Sequence, residues 1–275
     1  MLSTRVLAAA LAFAAATPAI AQDVPARIKQ AGKIVIATNP NYAPITFKDP
    51  ASNTLMGFDI DLGTAIAQEL GVKVEWQEIA FAQMLPSLQT GRVDTVLAGM
   101  SDLPTRRDVT DFVDYMTSGA QFYTITALAG VIKAPEDLCG KSVGASRSTN
   151  WPGQIEDWSK ANCVAKGKPA MNVVGTEGSV DARTQLKTER LQGAVQGNET
   201  LPYFQSLEPN TYVLLGKAFT QSLVGMPFAK TEAPLRDAVK AAIERLQASG
   251  AYDKMLAKYG LADNKLTPIS LNKGE

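Results

Sequence analysis

The sequence predicts an α/β fold built on doubly wound parallel sheets, and three observations carry the prediction. Short buried-type strands alternate with amphipathic helices between Lys33 and Ala98. The alternation returns between Ser142 and Gln196. Glycines such as Gly71 and Gly91 stand where helices should stop. Strand–helix–strand order of this kind implies parallel strands with helices on the sheet faces. Ligands in such sheets sit at the carboxyl ends of the strands.

Taken in order, the first 21 residues have the form of a secretory signal peptide rather than of the fold. Arg5 supplies a positive start, Val6 to Ala16 is an apolar run too short to cross a bilayer, and Ala19-Ile20-Ala21 has the small-x-small form of a cleavage site. Lys33 to Ala37 reads as a strand, and Asn39 to Pro44, with two prolines, as a loop. Asp59 is placed to cap a helix whose apolar face is Ile60, Leu62, Ala65, Ile66 and Leu70. Val72 to Trp76 is a second strand. A short helix follows through Met84, Leu85 and Leu88, and Val93 to Ala98 is a third strand. In the second stretch, Ser142–Ala145, Met171–Val174 and Leu191–Gln196 read as strands, with helices over Trp151–Ala161 and Val180–Lys187. Thr231 is placed to cap a strongly amphipathic helix carrying Leu235, Val239, Ala242, Ile243 and Leu246. A last helix spans Ala251 to Tyr259, and the polar tail after Gly260 is expected to be loosely held.

Composition narrows the function classes. The 27 basic and 27 acidic residues cancel, where a nucleic-acid binder would carry a basic excess. No apolar run beyond the leader is long enough to span a membrane. The chain has no histidine, which removes Ser-His-Asp and Cys-His catalysis and most zinc sites. No metal or cofactor is expected. Cys139 and Cys163 are the only cysteines. In an exported chain they suggest one disulfide, the alternative being two buried thiols.

The chemistry concentrates between Leu97 and Phe112. A buried-type strand runs into Gly99-Met100-Ser101, and Arg106 follows five residues after the serine. Gly99 lets backbone approach a ligand, Ser101 adds a hydroxyl, and the arginine fork matches a carboxylate. Together they could clamp a small anion; a solvated Arg106-Arg107 pair is the alternative.

With Gly57-Phe58-Asp59-Ile60-Asp61-Leu62, the run Phe81 to Asp94, and the closing Gly250-Ala251-Tyr252 to Gly260, this clamp gives the chain its resemblance. It resembles the periplasmic solute-binding proteins of polar amino acid ABC importers, over nearly the whole mature length. The resemblance implies two α/β lobes of the type II periplasmic-binding-protein kind, joined by two crossing strands near Ser118–Thr124 and Leu214–Leu223. Lobe one would comprise residues 23–120 plus 219–275, and lobe two 121–218, closing on the ligand by hinge bending. It further implies a non-catalytic, monomeric periplasmic receptor that captures a small carboxylate-bearing solute, an amino acid or derivative, and hands it to an inner-membrane ABC permease. Arg106 would grip the carboxylate with help from Gly99 and Ser101. Ser148, Thr149 and Asn150 would add donors from lobe two, beside the free N–H groups of a helix starting at Trp151. Tyr42 and Phe81 would form aromatic walls, with Trp151 a further candidate.

The chain departs from the family pattern at two places. Members that bind basic amino acids often carry an aspartate where this chain has Asn39. At the usual partner of the ligand amine, also an aspartate, stands Gly197, within Gln196-Gly197-Asn198-Glu199-Thr200. Glu199 could supply the missing charge, Asn198 could bind as a neutral acceptor after a loop shift, or the ligand could lack a primary amine. An alternative of another class is a cyclohexadienyl-type dehydratase on the same scaffold, with Glu199 as general acid.

Overall fold

The computed structural model describes residues 24–275, so the expected leader over residues 1–21 lies outside the described residues. The chain order is α1 (Ala26–Ala31), β1 (Lys33–Thr38), β2 (Asn41–Tyr42), β3 (Thr46–Lys48), β4 (Leu55–Met56), α2 (Phe58–Glu69), β5 (Lys73–Glu78), α3 (Met84–Gln89), β6 (Thr95–Val96), α4 (Pro104–Arg107) and β7 (Thr110–Ser118). It continues with β8 (Ala120–Ile125), β9 (Ser142–Ser146), α5 (Trp151–Asn162), β10 (Asn172–Thr176), α6 (Ser179–Lys187), β11 (Gly193–Gly197), α7 (Leu201–Leu207) and β12 (Tyr212–Leu215). The last elements are β13 (Ser222–Ala229), α8 (Ala233–Ala248), α9 (Ala251–Lys258) and β14 (Lys265–Leu271).

Two α/β lobes result. In one, β1 lies between β5 and β6, all parallel. Beside them β7 is flanked by β13 and β14, both antiparallel to it. Helices α2, α8 and α9 pack one face into a core built around Phe58, Leu62, Ile66, Tyr115, Leu235, Val239, Ile243 and Tyr252. The other lobe carries the sheet β10-β9-β11-β8-β12, in which β9, β10 and β11 are parallel, β8 runs against β11, and β12 runs against β8 and so along with the other three. Its core collects Phe122, Val143, Ile155 and Leu215 on one face and Tyr123, Leu186 and Phe204 on the other. The chain passes between the sheets at Gly119, where β7 becomes β8, and again between β12 and β13. There Phe219 N–H donates to the Ala120 carbonyl and Ala120 N–H to the Thr220 hydroxyl.

The predicted alternation holds in both stretches, but several local expectations change. Asp59 is not the cap: α2 begins at Phe58 after Gly57, and the Asp59 side chain turns inward to accept from Gly99 N–H and Tyr115 Oη. Thr231 does not cap α8, which begins two residues later after Glu232; the buried stripe is as expected. The third strand shrinks to Thr95–Val96. Within the expected loop, Asn41–Tyr42 starts a small sheet, β2-β3-β4. The tail is not loose: β14 pairs with β7, and Asn272, Lys273 and Gly274 continue in hydrogen bonds to lobe one. Polarity misled there, because the tail's partners are buried aspartates rather than water. Cys139 and Cys163 form the disulfide, tying the turn before β9 to the end of α5.

Candidate functional site

A cleft of about 170 Å³ opens between the lobes at the carboxyl ends of β1, β5, β6, β9 and β10. That is where parallel α/β sheets leave strand ends and helix starts free for a ligand. The volume lies below the ~300–1,000 Å³ typical of drug-sized ligands, so it fits a small solute. Lobe one contributes Asn39, Tyr42, Phe81, Gly99, Ser101 and Arg106. Lobe two contributes Ser148, Thr149, Asn150 and Trp151. Of the residues singled out in the sequence, Glu199 and Asn198 do not line it.

Arg106 is the electrostatic centre. Its half-buried guanidinium donates to the Ser101 carbonyl at 2.7 Å and lies 5.6 Å from the centroid of the Phe81 ring. Among the described residues it has no carboxylate partner, whereas Arg107 pairs with buried Asp102 at 3.1 Å. Burial pulls the Arg106 pKa down to about 10, against the opposing charge of Asp102. The group is therefore cationic throughout the physiological range, with donors left over for an anion.

Gly99 has φ +61°, and an added Cβ would press on the Tyr42 ring. Its N–H is not free for a ligand, because the carboxyl of Asp59 takes it at 2.9 Å. Burial lifts Asp59 to about 7 despite the bonds from Tyr115 and Gly99. Ser101 is held by a bridge to Val224 and by the Asp102 N–H bond to Leu223.

On the opposite wall, Thr149 donates to the Ser146 carbonyl at 2.8 Å and accepts from Trp151 N–H at 3.2 Å. α5 does start at Trp151, as expected, but that N–H is already bonded and the next residue, Pro152, has none. The helix start therefore offers fewer donors than its position suggests. Ser148 has a negative φ. Trp151 and Tyr42 approach to 6.1 Å between centroids across the lobe boundary.

Glu199 is buried, 4 % exposed, just behind Tyr42. It accepts from Tyr42 Oη at 2.7 Å and from Ser118 Oγ at 2.6 Å. Burial raises its pKa, and the two hydroxyls partly offset that. A Cβ at Gly197 would overlap both the Glu199 carboxyl and the Tyr42 hydroxyl. The carboxyl of residue 199 thus occupies the space a side chain at 197 would need. Asn198 points away: its Oδ1 accepts from Gly119 N–H at 2.9 Å, and it lines a separate hinge-side groove.

Sequence reasoning missed Asn41, Ser146 and the run Glu177-Gly178-Ser179, all of which line the cleft. The run follows β10 and opens α6, so the rule that ligands meet strand carboxyl ends would have found it. Glu177 pairs with Arg147 at 3.0 Å at the rim, with both side chains exposed.

Comparison with known proteins gives one consistent result. The model for bacterial extracellular solute-binding proteins, family 3, matches residues 34–262. The arginine-binding protein ArgT of Corynebacterium glutamicum is 27% identical over 256 residues, covering 93% of this chain and 83% of that protein. The histidine-binding periplasmic protein of Salmonella typhimurium is 25% identical over 260 residues, 92% of this chain and 94% of that protein. Among solved structures, an ancestral arginine-binding protein bound to arginine superposes with a TM-score of 0.74 at 30% identity, covering 83% of this chain and 98% of that one.

Proposed function

The chain belongs to the bacterial extracellular solute-binding proteins of family 3, and from that premise we propose that it is the substrate-binding component of an ABC importer. It captures an amino acid or a derivative bearing a carboxylate in the cleft between its lobes. It is a binding protein and not an enzyme, in keeping with the arginine- and histidine-binding relatives. It works as a monomer in the periplasm, reached through the leader at residues 1–21, and delivers its ligand to an inner-membrane permease. Lobe one comprises residues 23–120 plus 219–275 and lobe two 121–218. The change of sheet at Gly119 and between β12 and β13 supports that division.

One observation carries the reading: the guanidinium of Arg106 faces the cleft with a backbone carbonyl as its hydrogen-bond partner and, among the described residues, no carboxylate paired with it. A cation withdrawn from water in this way gains from an anion brought to it. Arg106 and Ser101 take the carboxylate, with Ser148 and Asn150 adding donors from the other lobe. Tyr42, Phe81 and Trp151 enclose the side chain, with Asn39 at its far end, and Thr149 and Gly99 shape the walls. Glu199 supplies the negative charge for the amine: Tyr42 Oη donates to it and keeps lone pairs to accept from an ammonium. Isothermal calorimetry against a panel of amino acids and organic acids tests the reading. A carboxylated ligand should bind, and Arg106→Ala should weaken it by about 1.5–3 kcal/mol, roughly 10- to 100-fold. Binding unchanged in Arg106→Ala would overturn it.

A further inference from the structure

Behind the clamp two carboxyl groups are buried against each other. Asp102 follows Ser101 in the clamp loop, Asp114 lies on β7, and neither is exposed. Consecutive backbone amides bring the two together, Lys273 N–H bonding Asp114 and Gly274 N–H bonding Asp102. Asp102 Oδ1 and Asp114 Oδ1 find no donor among the described residues. The other two oxygens are engaged. Asp102 Oδ2 accepts from Arg107 at 3.1 Å and from Gly274 N–H at 2.7 Å. Asp114 Oδ2 accepts from Ser270 Oγ at 2.8 Å and from Lys273 N–H at 3.0 Å. Three of these four donors come from β14 and the tail after it.

Two ionised carboxylates have only acceptors to offer each other, so burying them side by side, each with an oxygen unpaired among the described residues, favours a proton on one. Charge balance agrees. Among the described residues, Arg107 is the one cation in ion-pair contact with the pair, and two buried negative charges against one positive would be costly. The surrounding elements do not change the count. On α4, Arg106 feels Asp102 but faces the cleft. On β7, Asp111 is paired with Arg236 of α8. On β14, Lys265 pairs with Asp253. Lys273 touches the pair through its backbone N–H, Glu275 closes the tail, and β13 brings the uncharged Gly225 alongside Asp114.

The tail is shaped for this contact. Asn272 adopts φ +55°, exchanges hydrogen bonds with the backbone of Phe112, and donates to Asp111 at 3.0 Å. Gly274 lies so close to Asp102 that an added Cβ would overlap its carbonyl oxygen. Asp102 is in turn the neighbour of Ser101, whose carbonyl holds Arg106.

We propose that Asp102 and Asp114 share a single proton, and that Asn272–Gly274 is a strap closing over the pair and holding the Ser101–Arg106 loop in its anion-accepting shape. The second half rests on the binding function proposed above; the first does not. Burial and the neighbouring Asp102 charge push Asp114 up to about 7, so the proton stays in mildly acidic medium and leaves above neutrality. The pair then repels and the strap loosens.

Hydrogen exchange on the intact chain, corrected for intrinsic rates, tests the proton without any ligand. Protection of the Lys273 and Gly274 amides should fall at least tenfold between pH 5.5 and pH 8.5. In Asp114→Asn, whose amide supplies a permanent donor, protection should stay level. Protection independent of pH in the unmodified chain, or an equal fall in the variant, would overturn the shared proton. Gly274→Ala should deprotect the amides of residues 101–107 and weaken binding at pH 6 by at least tenfold, measured with whichever of L-arginine, L-glutamine and L-histidine binds best. Wild-type protection and affinity in that variant would overturn the strap. If the variant does not fold, a chain ending at Asn272 removes the strap without inserting an atom, and the same outcomes apply. Should the unmodified chain bind none of the three amino acids, the functional reading weakens, while the exchange measurements still decide the proton and the strap.

Discussion

Arg106 lines the cleft and Glu199 lies behind Tyr42, and each is set by what surrounds it rather than by its own loop. The Arg106 pKa of about 10 means that carboxylate capture should not titrate from the arginine side below pH 9. Glu199 is different, a buried carboxyl held by two neutral hydroxyls with a raised pKa. Glu199→Gln should therefore weaken an α-amino acid by about tenfold, because Tyr42 Oη loses the charged acceptor behind it, and leave its des-amino analogue unaffected. Calorimetry with both ligands checks this; an equal loss for both would assign Glu199 to structure alone. The packing of position 199 against position 197 is half legible. Sequence shows a glycine where an aspartate is usual and a glutamate two residues on. That the glutamate's carboxyl fills the space above the glycine depends on Tyr42, 157 residues away.

Elements were legible where a single face decides them. The stripe of α8 is buried at every residue named from its spacing, because period 3.6 alone puts those side chains on one side. Helix starts were less legible. Asp59 and Thr231 have the side chains of caps, yet Asp59 is drawn off by Tyr115 and Gly99, and α8 starts past Thr231. A local preference worth about 1 kcal/mol yields to tertiary bonds that bury a carboxyl. The disulfide joins two elements of lobe two, its cysteines 24 positions apart in the sequence. Replacing both cysteines by serine should lower unfolding free energy by about 3 kcal/mol, as expected for closing a loop of that order. Urea denaturation with and without a reductant measures it, and the loss should appear in both experiments.

At the scale of the whole molecule, buried carboxyls set the pH response. Burial raises Asp59 and Asp114 to about 7. In the unfolded chain these two groups ionise near 4, so between about pH 4 and pH 7 the folded state holds protons that the unfolded state has lost. Stability from these groups is complete below that window and declines as pH rises through it. Urea unfolding should give higher stability at pH 5 than at pH 7.5, and Asp59→Asn should flatten the slope. A stability rising steadily from pH 4 to pH 7 would contradict the assignment. Buried carboxyls sit at the seams of the structure: Asp59 behind the cleft, Glu199 between the lobes and Asp114 under the tail.

The sequence by itself determined the α/β class and the helix faces, put Gly99, Ser101 and Arg106 into one loop at a strand end, and left Cys139 and Cys163 only each other as disulfide partners. Periodicity and short-range spacing encode such features within a window of some twenty residues, or, for the cysteines, by there being only two. The tertiary structure alone decided that Asp59 takes the Gly99 N–H, that Glu199 lies behind Tyr42 rather than in the cleft, and that the polar tail is bound to buried aspartates. Each of these joins residues at least 40 positions apart. Each also places a carboxyl where water is excluded, and a residue's own neighbours in sequence cannot say whether it will meet water or a distant donor.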